Sequence, residues 1–326
     1  MRRRMMEKKF DITAMGELLI DFAPAGKSDT GMKLFEQNPG GAPANMLAAA
    51  KMVGLNVAFM GKVGADMHGI YLESVLEGAG IDTRALVIDE GYFTTMAFVT
   101  LAENGERRFS FARKPGADTM FNVGDIDKDL LKNSKVFHVG SLSLTDEPAR
   151  SATYEAVRFA KEHGVTISYD PNYRDPLWES EETAKELMKS LVPFADMMKI
   201  SDEETDLLTP YKEPEQAAKY LLSQGVRVVG VTLGAEGVLV ASKDGMTIVP
   251  GFKSNVVDTT GAGDSFWGSF VAKLIEMDVN LNTVSTEQLV EAARFGNAVA
   301  SLCVEKRGGI SGIPSREEVD ARLKRG

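Results

Sequence analysis

Asp258-Thr259-Thr260-Gly261-Ala262-Gly263-Asp264-Ser265-Phe266 places two glycines and a carboxylate directly before an apolar run, Phe266, Phe270, Val271, Leu274 and Ile275, with helical spacing. The spacing predicts a tight turn that opens a helix with its first backbone N–H groups uncovered. Such groups, reinforced by the positive end of the helix dipole, suit an anion such as phosphate. A carboxylate in a turn that only bound phosphate would repel the ligand. Asp264 makes sense there if it has chemistry to perform, namely taking a proton from a hydroxyl that attacks a phosphoryl group. The plainer alternative is a helix N-cap, a position that Asp favours and that Gly commonly precedes.

Four further groups could meet a ligand. Gly40-Gly41-Ala42-Pro43-Ala44-Asn45 is a second glycine turn at a helix start. Paired glycines let a ligand approach the backbone, and Asn45 offers a donor and an acceptor to a hydroxyl; a plain turn with Pro43 in the first helical turn is the alternative. Asp21 closes the strand-like Gly16-Glu17-Leu18-Leu19-Ile20 run, where a carboxylate either sits in a turn or grips hydroxyls. Asp170-Pro171-Asn172-Tyr173-Arg174 follows another strand, at the carboxyl edge where α/β sheets place ligands; the alternative is an Asp/Pro turn with a surface arginine. Lys199-Ile200-Ser201-Asp202-Glu203-Glu204 follows a third, and its acids either support a hydrated Mg2+ or favour the first turn of a helix. Two decoys fail. Gly26-Lys27-Ser28 resembles the end of a Walker A loop, but Asp21 stands where the first glycine belongs, Pro24 intervenes and no helix follows. No G-x-G-x-x-G fingerprint follows a strand, which counts against NAD.

Strand-like and helix-periodic stretches alternate along the chain to position these groups. Strands are expected at Ile12–Leu19, Val57–Val63, Val136–Val139, Val165–Tyr169, Met197–Ile200 and Val226–Leu233, and a helix at Ala42–Val53. The alternation indicates βαβ units around a central, mostly parallel sheet. After Val231 come a hairpin around Asp244-Gly245, the Asp264 turn and its helix, a helix from Thr286 to about Val304, and a last helix from Ser315 with a capping-box pattern. Leu19–Phe35 and Tyr92–Arg113 break the rhythm. The second holds two alternating runs joined by Glu103-Asn104-Gly105-Glu106, a hairpin signal. Two β excursions predict a small sheet beside the main body, serving as an oligomer interface, a lid, or both.

The 326 residues, 44% hydrophobic and 26% charged, have room for one large α/β domain with additions or for two domains. No apolar run is long enough to span a bilayer, and Met1-Arg2-Arg3-Arg4 lacks the apolar stretch of a secretory signal. The single Cys303 leaves no intramolecular disulfide and no Cys-based zinc site. With only His68, His138 and His163, a His-rich metal centre is disfavoured. A net charge of −10 without a Lys/Arg stripe argues against nucleic acid. A cytoplasmic enzyme without nucleic-acid or membrane partners is the expectation.

With these residues assembled, the chain resembles the ribokinase-type (PfkB) family of sugar kinases over nearly its whole length, Gly40–Asn45 and Asp258–Asp264 looking like its two signatures. Within the family it is most similar to fructokinases, through Gly16–Phe22, Arg113-Lys114-Pro115-Gly116-Ala117-Asp118, Asp170–Arg174 and Ile200–Glu204. The resemblance implies a single ribokinase-like α/β domain over 1–326: a doubly wound, mostly parallel sheet sandwiched by helices. A small β lid is formed by insertions at 19–36 and 92–113 and often contributes to a homodimer.

Carried over by position, Asp264 is the catalytic base, and Gly261, Ala262 and Gly263 form the anion hole. Asp21, Gly40, Gly41, Asn45, Asp170, Arg174 and Arg113 hold the sugar. Lys199, Thr232, Gly234, Gly237 and Asn297 line the ATP site. Glu204 acts on Mg2+ and its waters, although Ser201 replaces the asparagine of the family's N-x-x-E motif. Asp258 and Thr260, with the backbone of 304–309, bind a monovalent cation such as K+. The implied reaction is ATP-dependent phosphorylation of fructose. The alternatives are a riboside such as aminoimidazole riboside, 2-keto-3-deoxygluconate, or a catalytically inactive sugar-binding protein on the same fold.

Overall fold

The computed structural model describes residues 8–101 and 107–325. The strands in chain order are β1 (Phe10–Met15), β2 (Leu19–Lys27), β3 (Lys33–Gly40), β4 (Val57–Gly64), β5 (Asp82–Asp89), β6 (Met96–Leu101) and β7 (Arg107–Ala112). They continue as β8 (Ser134–Val139), β9 (Thr166–Tyr169), β10 (Met197–Ser201), β11 (Val228–Thr232), β12 (Gly237–Ser242) and β13 (Met246–Pro250). Nine of them form the main sheet in the order β13-β12-β11-β10-β9-β8-β1-β4-β5, parallel except where β12 runs against both neighbours. The strand order runs outward in both directions from β1 and β8, so the sheet is doubly wound. The crevice beyond the carboxyl ends of those two strands is where such sheets place ligands.

Both faces of this sheet are buried, which is why its strands read as continuous apolar runs. Ile12, Ala14 and Phe59 face one helical layer with Trp267 and Phe270, while Met15, Met60 and Phe137 face the other with Val157 and Met188. The expected strand Ile12–Leu19 is two strands in different sheets, β1 and β2. The chain leaves the main sheet at Gly16, and Glu17 turns its carboxylate to the Ala42 N–H at 2.9 Å. Leu18 and Ile20 stay in the apolar core throughout, so hydrophobicity alone did not mark the break. The helix at Ala42–Met52, the β12–β13 hairpin and the Thr286–Cys303 helix fall within a residue or two of expectation. The last helix spans Arg316–Arg325, and Ser315 and Glu318 make the reciprocal capping bonds.

The two β excursions join in a second sheet, ordered β3-β2-β6-β7. The Glu103–Glu106 hairpin turn lies outside the described residues. Alternation gives this sheet two faces. Asp21, Ala23, Glu36, Asn38, Val99 and Phe111 face a cavity against the main body. On the other face Phe22, Phe35 and Phe98 pack on one another. Gly26-Lys27-Ser28 is the frayed end of β2 and opens no helix, as its sequence indicated.

Candidate active site

A cavity of about 690 Å³ lies between the small sheet and the carboxyl ends of the main-sheet strands. Glu17 after β1, Leu142 after β8, Asn172 and Arg174 after β9, and Glu203 after β10 form part of its wall. The Asp258–Asp264 turn forms another part.

Gly261 is left-handed at φ 75° and directly precedes the helix Ala262–Glu276. A side chain there would also bring its Cβ within 2.8 Å of the Gly309 Cα. Two restrictions therefore meet at one residue, and glycine satisfies both. Asp264 is the third residue of the helix, not its cap, and is 8% exposed. Its Oδ2 accepts from Asn45 Nδ2 at 2.9 Å. The Ala262 N–H is partly engaged by Thr259 O at 3.3 Å, so the open donors of the turn lie around it. The helix is tied to the sheet beneath: Trp267 Nε1 donates to Ser168 Oγ at 2.8 Å, and Ser168 meets His138 Nδ1 at 3.0 Å. Burial, and then the charge of Lys199, pushes the His138 imidazole down to about 3, so this anchor is neutral.

The acceptor side is built from β2, β3 and the Gly40-Gly41 turn. Asp21 faces the cavity, and its Oδ2 would lie 2.3 Å from a Cβ on Gly40, so the carboxylate covers a position that only glycine can fill. Burial raises the Asp21 carboxyl to about 6; Arg174 pulls it down, and Asp258 and Asp264 push it further up. Gly41 has φ 121° and sits against Glu17 O, where a Cβ would fall at 2.4 Å. Glu17 thus holds this turn by backbone contact and by side chain. Burial raises its carboxyl to about 7, opposed by backbone hydrogen bonds from its own and the Ala42 N–H.

Lys199 Nζ contacts the Asp170 carboxylate at 2.8 and 3.1 Å, both residues being buried. The ammonium also lies 3.1 Å from where a Gly263 Cβ would be, placing a cation against the glycine turn. Burial opposes its charge, but the carboxylates of Asp170, Glu204 and Asp264 hold its pKa above the ordinary value. Asp170 lies behind Lys199 and not on the cavity wall. Glu204 is also set back. It accepts from Tyr173 N at 2.7 Å and from Ser201 N and Oγ at 2.7 and 3.0 Å, joining the loops after β9 and β10. Glu203 is the acid of that segment on the cavity wall.

Other expected site residues lie apart. Arg113 is set back from the cavity: its guanidinium is buried at the root of the small sheet, bonded to Asp118 at 2.8 Å, Thr145 Oγ1 at 2.8 Å and Leu142 O at 3.0 Å. No cavity lining comes from it, because its charge is spent inside the protein. Thr232, Gly234, Gly237 and Asn297 lie off the cavity wall, around the ends of β11, β12 and β13. The Asn297 amide donates to Val249 O and Pro250 O at 3.0 Å, and Thr232 Oγ1 lies 3.4 Å from Ile200 O. Asp258 accepts from Thr260 N at 3.0 Å, Thr260 Oγ1 at 2.8 Å and Gly308 N at 3.0 Å, so the glycine turn and the 304–309 loop do come together. No group of three or more His, Cys, Asp or Glu side chains is placed to hold a metal among the described residues.

A buried carboxylate in the first turn of a glycine-led helix, facing a small-sheet cavity rich in carboxylates and amides, is an arrangement for moving a hydroxyl proton beside a bound anion. The family model for the pfkB family carbohydrate kinases matches residues 9–316. The chain belongs to this family. It is therefore a phosphotransferase with a sugar hydroxyl as acceptor. Among relatives of this PfkB kinase, probable fructokinase-6, chloroplastic, of Arabidopsis thaliana is 41% identical over 316 residues, 96% of this chain and 82% of that protein. Fructokinase-2 of Oryza sativa subsp. japonica is 41% identical over 307 residues, 93% of this chain and 91% of that protein. A fructokinase from Xylella fastidiosa with bound ATP superposes with TM-score 0.89 at 30% identity, covering 98% of this chain and 99% of that one. A fructokinase from Vibrio cholerae O395 with fructose, ADP and calcium ion bound gives TM-score 0.85 at 30% identity, covering 96% and 99%. The main sheet and its helical layers are those of the ribokinase-like fold. No helix of the described residues of this PfkB kinase is long and apolar enough to cross a membrane.

Several wall residues of the PfkB kinase carried no signal of their own in the sequence. Glu17 lay inside a strand-like run, Glu36 at the end of the insertion expected at 19–36 and Asn38 beyond it, and Arg307 in a loop noted only for its backbone. Alternation along β3, once its register was known, would have put Glu36 and Asn38 on one face.

Proposed function

We propose that this chain is an ATP-dependent fructokinase, converting D-fructose and ATP to fructose 6-phosphate and ADP. The observation that carries the reading is Asp264, buried at a helix N-terminus and held by Asn45 inside a cavity that also presents Asp21 and Arg174. Asp264 takes the proton as the C6 oxygen bonds to the γ-phosphorus and the bond to the bridging oxygen of ADP breaks. Backbone N–H groups of Gly261, Ala262 and Gly263, with Lys199 beside them, face the transferred group. Asp21, Gly40, Gly41 and Asn45 hold the sugar with Arg174. Asp170 acts through Lys199, and Arg113 through the root of the small sheet.

ATP extends from the glycine turn toward Thr232, Gly234, Gly237 and Asn297. Mg2+ neutralises charge on its phosphates when bound. It needs few protein carboxylates because it keeps most of its waters, which suits Glu203 on the wall and Glu204 behind it. Asp258, Thr260 and the 304–309 backbone form the place for a monovalent cation such as K+. The two insertions at 19–36 and 92–113 act as a lid on a single domain. Exposed Met32, Leu34 and Phe35 at the lid edge suit a homodimer contact. The one cysteine, buried and unbridged, fits a cytoplasmic protein.

The charges around the cavity favour a neutral acceptor. Among the described residues, Arg113 is neutralised by Asp118, Lys199 by Asp170 and Arg307 by Glu36, whereas Asp21 and Asp264 stand near one another on the wall. A sugar acid such as 2-keto-3-deoxygluconate would bring a further carboxylate against Asp21 and Asp264. A riboside would want an aromatic wall. Phe111 lines the cavity, but Phe98 packs on the opposite face, and the Phe109 side chain lies outside the described residues. An ADP-release assay over a sugar panel tests the reading. Fructose is expected to exceed ribose, glucose, adenosine and 2-keto-3-deoxygluconate by about tenfold or more in kcat/KM, since a site built to pair hydroxyls rejects acceptors that strand them. A riboside ahead of fructose overturns the acceptor, and no sugar-dependent ADP release at all leaves an inactive sugar-binding protein.

A further inference from the structure

One ion pair crosses the mouth of the cavity. Arg307 Nη1 lies 2.8 Å from Glu36 Oε2, and both side chains line the cavity. Glu36 is on β3 of the small sheet. Arg307 is in the loop that packs on the glycine turn: Gly308 N donates to Asp258 Oδ2 at 3.0 Å. Gly309 lies against both Gly261 and the Asn45 amide, with a Cβ on Gly309 falling 2.2 Å from Asn45 Oδ1. A second contact accompanies the pair, since Asn38 Oδ1 lies 3.4 Å from where a Gly308 Cβ would be. The small sheet thus reaches the loop behind Gly261 and Asn45 from across the opening, apart from its covalent root near Arg113.

We propose that Arg307 and Glu36 are positioning residues that latch the small sheet over the acceptor cavity, so that a sugar hydroxyl and not water meets the phosphoryl group. The inference rests on the kinase reading above for its consequence and on the ion pair for its mechanism. Water is the competing acceptor at such a site. Its attack on the γ-phosphorus breaks the same bond to ADP and gives inorganic phosphate and a proton. A sheet that closes and reopens quickly admits sugar, and one that stays ajar admits water as well. The pair suits a reversible latch because both side chains are substantially exposed, at 60% and 43%. Exposed ion pairs are weak and screened by salt, so this one can open in every turnover.

The test uses the full-length chain with Arg307→Glu, Glu36→Arg and the double swap. In the ligand-free protein, amide hydrogen exchange across β2 and β3 is expected to quicken by about two- to fivefold in each single variant, the range an exposed ion pair supports. The swap is expected to restore protection. High salt should quicken exchange in the wild type and leave an Arg307→Ala variant unmoved. In turnover with fructose, the single variants should release more inorganic phosphate per sugar phosphate formed, and the swap should reverse this. Exchange equal in all four proteins overturns the latch whatever the acceptor proves to be. So does an Arg307 effect that Glu36→Arg does not share, which would make Arg307 a phosphate contact instead. If wild-type protein ignores fructose, the acceptor reading fails while the exchange experiment still decides the latch.

Discussion

Asn45 donates its side-chain N–H to Asp264 Oδ2 at 2.9 Å, joining residues 219 positions apart in the chain. The contact gives the two carboxylate oxygens of Asp264 different surroundings. Oδ2 is held by the amide, which leaves Oδ1 for the proposed role of meeting the proton of an incoming hydroxyl. Two helix N-termini, at Ala42 and Ala262, are thereby bonded through the side chains that would perform the chemistry.

Asp264→Asn is expected to lower kcat by about 10²- to 10⁴-fold, the size of a general-base contribution, with sugar affinity little changed. Asn45→Ala should lower kcat less and also raise KM for the sugar, because Asn45 faces the cavity as well as the base. Steady-state kinetics beside equilibrium sugar binding separates the two effects. Near wild-type kcat in a folded Asp264→Asn protein would end the base assignment.

Acidity supplies a second prediction. The Asp21 carboxyl, raised to about 6 by burial, must be ionised to accept two sugar hydroxyls. The acid limb of kcat/KM is expected near pH 6, and Asp21→Asn should remove it along with most sugar affinity. Ligand-free stability runs the other way. A folded-state pKa above the unfolded one means that the fold prefers the protonated form, so stability present below about pH 4 is lost as pH rises through about 6. Glu17, raised from 4.5 to about 7, adds a loss in the same sense up to pH 7. Thermal melts of Glu17→Gln against wild type across that range should show a shallower decline in the variant.

Arg113→Ala and Asp118→Asn should act on stability and on the attachment of the small sheet. Removing one partner of a fully buried ion pair costs about 3–5 kcal/mol, because the other charge is left uncompensated. Arg113 and Asp118 side chains are each 3% exposed. Denaturant unfolding of both variants is the measurement. A stable Arg113→Ala protein with only a raised sugar KM would return Arg113 to the sugar site.

Glu204→Gln should raise the Mg2+ concentration needed for half-maximal rate, with Asp202→Asn doing less. The amide also turns a donor toward one of the backbone N–H groups, of Tyr173 or Ser201, that the carboxylate now accepts. Some loosening of both loops is therefore expected beside the metal effect. Equal magnesium titrations for wild type and both variants would remove Glu204 from the metal site.

Much of this arrangement was legible from residue types alone. Glycines before an apolar helical run marked the Gly261 and Gly41 turns, because few other residues tolerate such backbone angles or so close an approach. Continuous apolar strands marked a sheet buried on both faces, and the Asp/Pro and acidic segments marked the carboxyl ends of β9 and β10. Those signals are local, carried by the backbone preferences and periodicity of neighbouring residues. Which charges stay free is not a local property. Arg113 reads as a sugar ligand until Asp118, Thr145 and Leu142 close around it. Glu204 reads as one of three acids in the first turn of a helix until two loops direct their N–H groups at it and leave Glu203 on the wall. Glu36 and Arg307 carry no signal of their own until β3 crosses the cavity and meets the loop behind Gly261. A buried or bridging charge is defined by whatever surrounds it, and for each of these residues the partners come from other elements. The glycine turns, the alternation of strands and helices and the candidacy of Asp264 as a base were legible in the sequence by itself, and the tertiary structure alone decided which side chains were left to face a ligand.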